Sequence, residues 1–248
     1  LTVFSPKPKS HKPMSLKYEH IIWDLDHTLW DFDTNSTETI LELLHEFDLI
    51  EKPIMEPQKF LEDYIRINRH CWDLYQMGEM DKETLRYTRF QQAFELNGVS
   101  SESSRELSDR FCEEYVVRCP KKNALIDGAV EILDYLKAKN YKMCIMTNGF
   151  IEAQHVKMHV SGLNSYFDHV FISENLKAKK PDPKAYYAVL NALNTKVENC
   201  IMIGDSASSD IQGAVNVAMD SIHFLPDGST ETKGTHAIKE LMQIKEIL

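Results

Sequence analysis

No stretch of the chain approaches about 18 consecutive apolar residues, so no transmembrane helix is expected. Cysteine is sparse: five residues (Cys71, Cys112, Cys119, Cys144 and Cys200), odd in number and without a CxxC pair. A reduced, cytoplasmic protein is the simplest account. Glycine and proline number only 9 each, and with 43% hydrophobic and 27% charged residues this argues against collagen, disorder and solenoid architectures. Basic residues are in deficit, 28 against 38 acids, for a net charge of −10. A net anion is a poor non-specific partner for nucleic acids and acidic membranes, and neither is expected here. The first strand is followed by no GxGxxG, so the dinucleotide fingerprint is missing. The opening LTVFSPKPKSHKPMS has lysines among prolines and lacks the apolar run of a signal peptide. Residues 1–15 are therefore expected to form a flexible extension, with Met14 as a candidate start.

What is present is an alternation. Short apolar runs at residues 18–24, 142–147, 169–173, 199–204 and 221–225 predict buried strands. Helical patterns lie between and after them, at 128–140 (with Asp127 as its cap), 151–161, 183–193, 208–217 and 235–247. Such a pattern predicts an α/β fold, a Rossmann-like parallel-sheet core covered on both faces. Residues 33–118 interrupt it with amphipathic helical stretches alone, at 37–49, 58–76, 82–96 and 102–117. This predicts a helical-bundle domain, 33–118, inserted after the first strand of a core formed by 16–32 and 119–248. The insert carries 19 acids, 10 Lys or Arg and all seven arginines of the chain. Solvated helix faces explain most of these charges, while one or two arginines facing a cleft would contact an anion.

Four polar clusters sit at predicted strand ends or in the loops beyond. Asp24 and Asp26 in DLDHT are two apart, so in extended chain both carboxylates point one way. A cation would relieve their repulsion, and Asp oxygens suit Mg²⁺. Taken alone, such a pair is a turn in which Asp26 caps a helix. Thr147-Asn148-Gly149 can cradle an anion with a hydroxyl and backbone N–H groups, or simply cap a helix. Lys180, stiffened by Pro181 and Pro183, can neutralise charge there, with Lys177 and Lys179 as rivals by position. Gly204-Asp205-Ser206 follows a strand and has Asp210 five residues past Asp205. Asp205 can reach the ion of Asp24, and Asp210 can hold a metal water or the Lys180 ammonium.

In the order DxDxT, TN, KPDP and GDSxxxxD, these clusters resemble the motifs of the haloacid dehalogenase superfamily of phosphohydrolases. The resemblance implies that Asp24 is a nucleophile forming an aspartyl-phosphate. Asp26 is implied as general acid and base, with its backbone carbonyl on Mg²⁺. Thr147 and Asn148 are implied as phosphate ligands, Lys180 as charge neutraliser, and Asp205 as a metal anchor supported by Asp210. The insertion point resembles that of members whose helical cap follows the first motif. Dehalogenases of this superfamily lack an acid two residues past the nucleophile, so Asp26 points to phosphate esters.

The stretches DLDHTLWDFD, INRHCWDLYQMGEMDKETLRYTRF and MTNGF with LNSYFDHVFISE resemble bacterial pyrimidine 5′-nucleotidases. That implies a nucleoside 5′-monophosphate as the small phosphorylated substrate, handled by a monomer or homodimer. Trp30, Phe32 and Asn68 are candidate substrate contacts, since an aromatic face can stack on a base and an amide can pair with its edge. Packing is the favoured reading of Trp72 and Tyr75, as surface placement is of His155 and His159, and His27 is read as a neighbour of the acids. The alternatives are a sugar-phosphate phosphatase, a phosphomutase, or a non-catalytic nucleotide or phosphate sensor.

Overall fold

The computed structural model describes residues 17–50 and 55–248; the expectation for residues 1–15 lies outside them. Six strands form one sheet in the order β3-β2-β1-β4-β5-β6: β1 (His20–Trp23), β2 (Lys142–Thr147), β3 (His169–Ile172), β4 (Cys200–Gly204), β5 (Asp220–Phe224) and β6 (His236–Ile238). All pairings are parallel. Side chains alternate between faces. Ile21 and Trp23 join a core shared with α5 (Ala129–Ala138), while Ile22 joins Met146, Met202 and the apolar side of α8 (Pro183–Ala192). Burial on both faces explains why these strands read as unbroken apolar runs rather than as alternations.

The insert consists of α1 (Phe32–Glu46), α2 (Pro57–Met77), α3 (Lys82–Leu96) and α4 (Ser101–Arg118). Its interior is aromatic: Phe60, Phe90, Phe94 and Phe111 pack with ring centroids 5.0–6.4 Å apart. Helix α1 begins five residues before the amphipathic pattern suggested, because the Asp31 carboxylate accepts from Thr34 N at 2.9 Å and caps it there. The insert joins the core at two crossing segments. Ile126 N donates to Leu29 O at 2.9 Å, and the Asn35 side chain exchanges two hydrogen bonds with the Ala124 backbone.

Three expectations are corrected. Residues 235–247 do not form a helix: β6 satisfies the open edge of β5, and a 3₁₀ turn (Leu241–Glu246) follows. A hydrogen-bonding edge elsewhere in the fold outweighs local helical pattern. Residues 208–217 start with a wide turn (Ala207–Ile211) before α9 (Gln212–Asn216), since Ser206 and Asp210 side chains take backbone N–H groups there. Asp127 does not cap α5; Gly128, at φ 78°, turns the chain into it.

Candidate active site

Parallel register aligns the motifs. Trp23 pairs with Ile145 on one side and Ile203 on the other. Asp24 therefore stands level with Met146 and Gly204, and Thr147 and Asp205 lie one residue beyond. These strand ends flank the point where the order reverses, the usual ligand crevice of an open parallel sheet. The crevice opens into a cavity of about 690 Å³, roofed by α2 of the insert and lined by Asp24, Asp26, Thr147, Asn148, Lys180 and Asp205.

Lys180 is fully buried and central. Its ammonium donates to Asp24 Oδ1 at 2.5 Å and Met146 O at 2.7 Å, and it pairs with Asp210 Oδ1 at 2.7 Å. Burial would depress its pKa, but the two carboxylates outweigh burial and hold it raised. Its rivals lie elsewhere: Lys179 bonds the Tyr75 carbonyl, and Lys177 occupies the left-handed turn that ends α7 (Ser173–Leu176). Asn148 ties Lys180 in place, donating to its carbonyl and accepting from its N–H, both at 2.9 Å. Thr147 Oγ1 accepts from Gly149 N at 3.0 Å and Gln154 Nε2 at 2.8 Å.

Carboxylate oxygens of Asp24, Asp205 and Asp210 lie within 4.8 Å of one another. Burial, and then repulsion from Asp210, push Asp205 up to about 6. Burial raises Asp24 well above the carboxylate range despite Lys180. Two buried acids and the half-buried Asp205 around one lysine are short of positive charge, and a hard divalent cation would supply it; the donor set fits Mg²⁺. Thr28 Oγ1 donates to Asp205 Oδ1 and accepts from Asp205 N, both at 3.1 Å, and His223 Nε2 lies 2.9 Å from its carbonyl. Gly204 is required here, because a Cβ would overlap the Asp210 carboxylate.

The Asp26 carboxylate stays out of that cluster. Lys157 Nζ donates to Oδ1 at 2.5 Å and Gln154 Nε2 to Oδ2 at 2.7 Å, both from α6 (Ile151–Val160). Burial would raise Asp26, yet Lys157 and Gln154 outweigh it and hold the carboxyl below its usual range. Lys157 is itself buried, 4.2 Å above the Trp30 ring centroid. Neither Gln154 nor Lys157 was identified from sequence. The only signal available was two polar residues, three apart, on the helix face that should be buried. His27, at φ 63°, turns to Asp33 at 3.7 Å; burial would lower its pKa, but Asp33 and Asp205 carry it to about 9.

Of the proposed substrate contacts, Phe32 and Asn68 line the cavity. Trp30 is a correction: it is completely buried, its Nε1 donates to Lys122 O at 3.3 Å, and its face is covered by Lys157. Trp72 stacks on Phe150 at 5.1 Å and meets Tyr75 edge-on at 5.5 Å, joining insert to core while lining the cavity rim. Arg69 lines the cavity, whereas His155 and His159 are exposed on α6.

The profile of the haloacid dehalogenase-like hydrolases matches residues 18–217. The chain belongs to that family. It is 29% identical to the pyrimidine 5′-nucleotidase PynA of Streptococcus pneumoniae, over 93% of this chain and 95% of that protein. It is also 29% identical to the pyrimidine 5′-nucleotidase YjjG of Escherichia coli, over 92% and 98%. Among solved structures, the magnesium-bound HAD-hydrolase YfnB of Bacillus subtilis superimposes with a TM-score of 0.83, at 24% identity, over 94% of this chain and 99% of that one. This HAD hydrolase is a phosphomonoester hydrolase with a Rossmann-like α/β core. Among the described residues, no helix is long and apolar enough to cross a membrane, and all five cysteines are free and buried.

Proposed function

We propose that this HAD phosphatase hydrolyses pyrimidine nucleoside 5′-monophosphates with Mg²⁺ through an aspartyl-phosphate on Asp24. The observation that carries the phosphatase chemistry is the pair of carboxylates with opposite environments: Asp24 against Lys180 in the acid cluster, Asp26 apart from it and held by Lys157 and Gln154. Environments that separate two acids in this way assign them different work.

Asp24 attacks phosphorus, and the ester P–O bond breaks. Asp26, ionised beside Lys157 in the free protein, takes up the proton of the phosphate monoester as it binds and gives it to the departing ribose oxygen, then takes one from the water that cleaves the aspartyl-phosphate, releasing inorganic phosphate. Lys180 offsets negative charge on the phosphoryl oxygens. Thr147 and the backbone amide of Asn148 hold that group, since the Asn148 side chain is already tied to Lys180. Asp24, Asp205 and the Asp26 carbonyl would bind Mg²⁺, with Asp210 beside them; the ion would supply further neutralisation of the phosphate. The insert, as a cap over residues 33–118, shields the site from water.

Two facts support a nucleotide. The cavity, about 690 Å³, suits a ligand of that size. The two nucleotidase relatives match the chain almost end to end, whereas the glyceraldehyde 3-phosphate phosphatase of Pyrococcus furiosus matches 50% of it. The test is phosphate release from pyrimidine and purine monophosphates and sugar phosphates with Mg²⁺, using Asp24→Asn as control. Pyrimidine nucleotides are expected to lead. A preference for sugar phosphates would remove the nucleotide assignment, isomerised product without phosphate would indicate a mutase, and no turnover at all would leave a phosphate sensor.

A further inference from the structure

Arg89 on α3 is 4% exposed, and among the described residues no carboxylate pairs with it. Its guanidinium lies 4.9, 5.0 and 6.0 Å from the ring centroids of Tyr115, Phe90 and Tyr64. Its Nε donates to Arg86 O at 3.3 Å, and its NH1 donates to Asn68 Oδ1 at 3.0 Å. A buried cation without a carboxylate is costly, so what it touches matters. A guanidinium only donates, so the Asn68 amide must turn its oxygen to Arg89. The amide N–H groups are then left for the cavity that Asn68 lines.

Tyr64 stands one helical turn earlier on α2 and lines the same cavity, but its hydroxyl is fully buried and faces the hydroxyls of Tyr115 and Ser36. The donor that this wall presents is therefore the fixed amide of Asn68.

We propose that Asn68, its polarity set by Arg89, is the base-reading donor of the substrate cavity, matched to the ring carbonyl of a pyrimidine. This deepens, and rests on, the nucleotidase reading above. Asn68 donates to the base carbonyl. Adenine carries no carbonyl to receive the amide. Arg89 touches no ligand and is a positioning residue: it stops the amide from flipping to present its oxygen.

The test compares kcat/KM for uridine 5′-monophosphate with that for ribose 5-phosphate, which lacks the base, in the Mg²⁺-loaded full chain. Only the ratio is read, so a general loss of folding or metal cancels. Asn68→Leu is expected to lower the ratio about tenfold or more, chiefly through KM. Asn68→Ser serves if the leucine variant does not fold by circular dichroism. Arg89→Met is expected to lower the ratio as well, and Asn68→Leu/Arg89→Met to match Asn68→Leu alone. A ratio within about twofold of wild type in Asn68→Leu overturns the base-reading role of Asn68. A double variant clearly worse than Asn68→Leu overturns the positioning role of Arg89. A wild-type ratio near one refutes the nucleotidase reading itself, and this inference with it.

Discussion

Replacing Lys157 with methionine removes the cation from Asp26 while keeping most of the packing under Trp30. The lysine side chain is 7% exposed and that of Asp26 22%, with Nζ and Oδ1 2.5 Å apart. Breaking a buried pair from one side typically costs about 3–5 kcal/mol, because the orphaned charge stays desolvated. Asp26 keeps the Gln154 bond and some exposure, so the lower end, about 3 kcal/mol, is expected near pH 8. In the wild type, Asp26 lies below its unfolded value. Its contribution is therefore present above the unfolded pKa of about 3.9 and lost as pH falls through the folded value. In Lys157→Met the dominant influence is burial, which raises the carboxyl. Stability of the variant relative to wild type should then improve as the pH is lowered and Asp26 takes up a proton. Urea denaturation at about pH 8 and pH 5 measures both, with the deficit shrinking by about 1 kcal/mol or more at the lower pH. At pH 8 the loss corresponds to a Tm drop of roughly 6–12 °C for a chain of this size. Asp26→Asn in the same background should recover part of the deficit, since the two changes share one interaction. A deficit under about 1 kcal/mol that ignores pH and persists in the double variant would refute the account of what holds Asp26 ionised.

Further outcomes follow from the same geometry. Asp26→Asn should abolish turnover while sparing the fold by circular dichroism; an active variant would remove its proton-transfer role. Because Asp205 is held at about 6, protonation should compete with Mg²⁺ below that pH, so half-saturating Mg²⁺ should rise at pH 5 and excess Mg²⁺ should restore rate. The same site should raise Tm on Mg²⁺ addition, by about 2.7 kcal/mol of stabilisation at a hundred times Kd, and Asp205→Asn should lose that shift. Gly204→Ala must displace Asp210 from Lys180, and a misplacement of about 1 Å predicts a fall in kcat on the order of a hundredfold. Phe150 is wedged between Trp72, Tyr75, Lys82 and Arg86, so Phe150→Ala should cost about 3 kcal/mol or more and raise Trp72 fluorescence quenching by acrylamide.

Local sequence determined more of this protein than its 29% likeness to named relatives conveys. The strands were legible because sheet burial on both faces demands unbroken apolar runs, and the helices because burial on one face demands a 3.6-residue period. The Asp24, Thr147, Lys180 and Asp205 motifs were legible because each is a polar cluster at or just past a strand end, and parallel register carries such ends into one row. Tertiary structure decided what no local pattern encodes. The edge of β5 turned residues 236–238 from expected helix into strand. Packing under Lys157 withdrew Trp30 from the cavity. Contacts between residues 131 positions apart tied Asp26 to Lys157, and 21 positions apart fixed the polarity of Asn68 through Arg89. Hydrogen-bond partners distant in the chain leave no periodic trace. They are set when helices close over the sheet and every buried charge must find a partner.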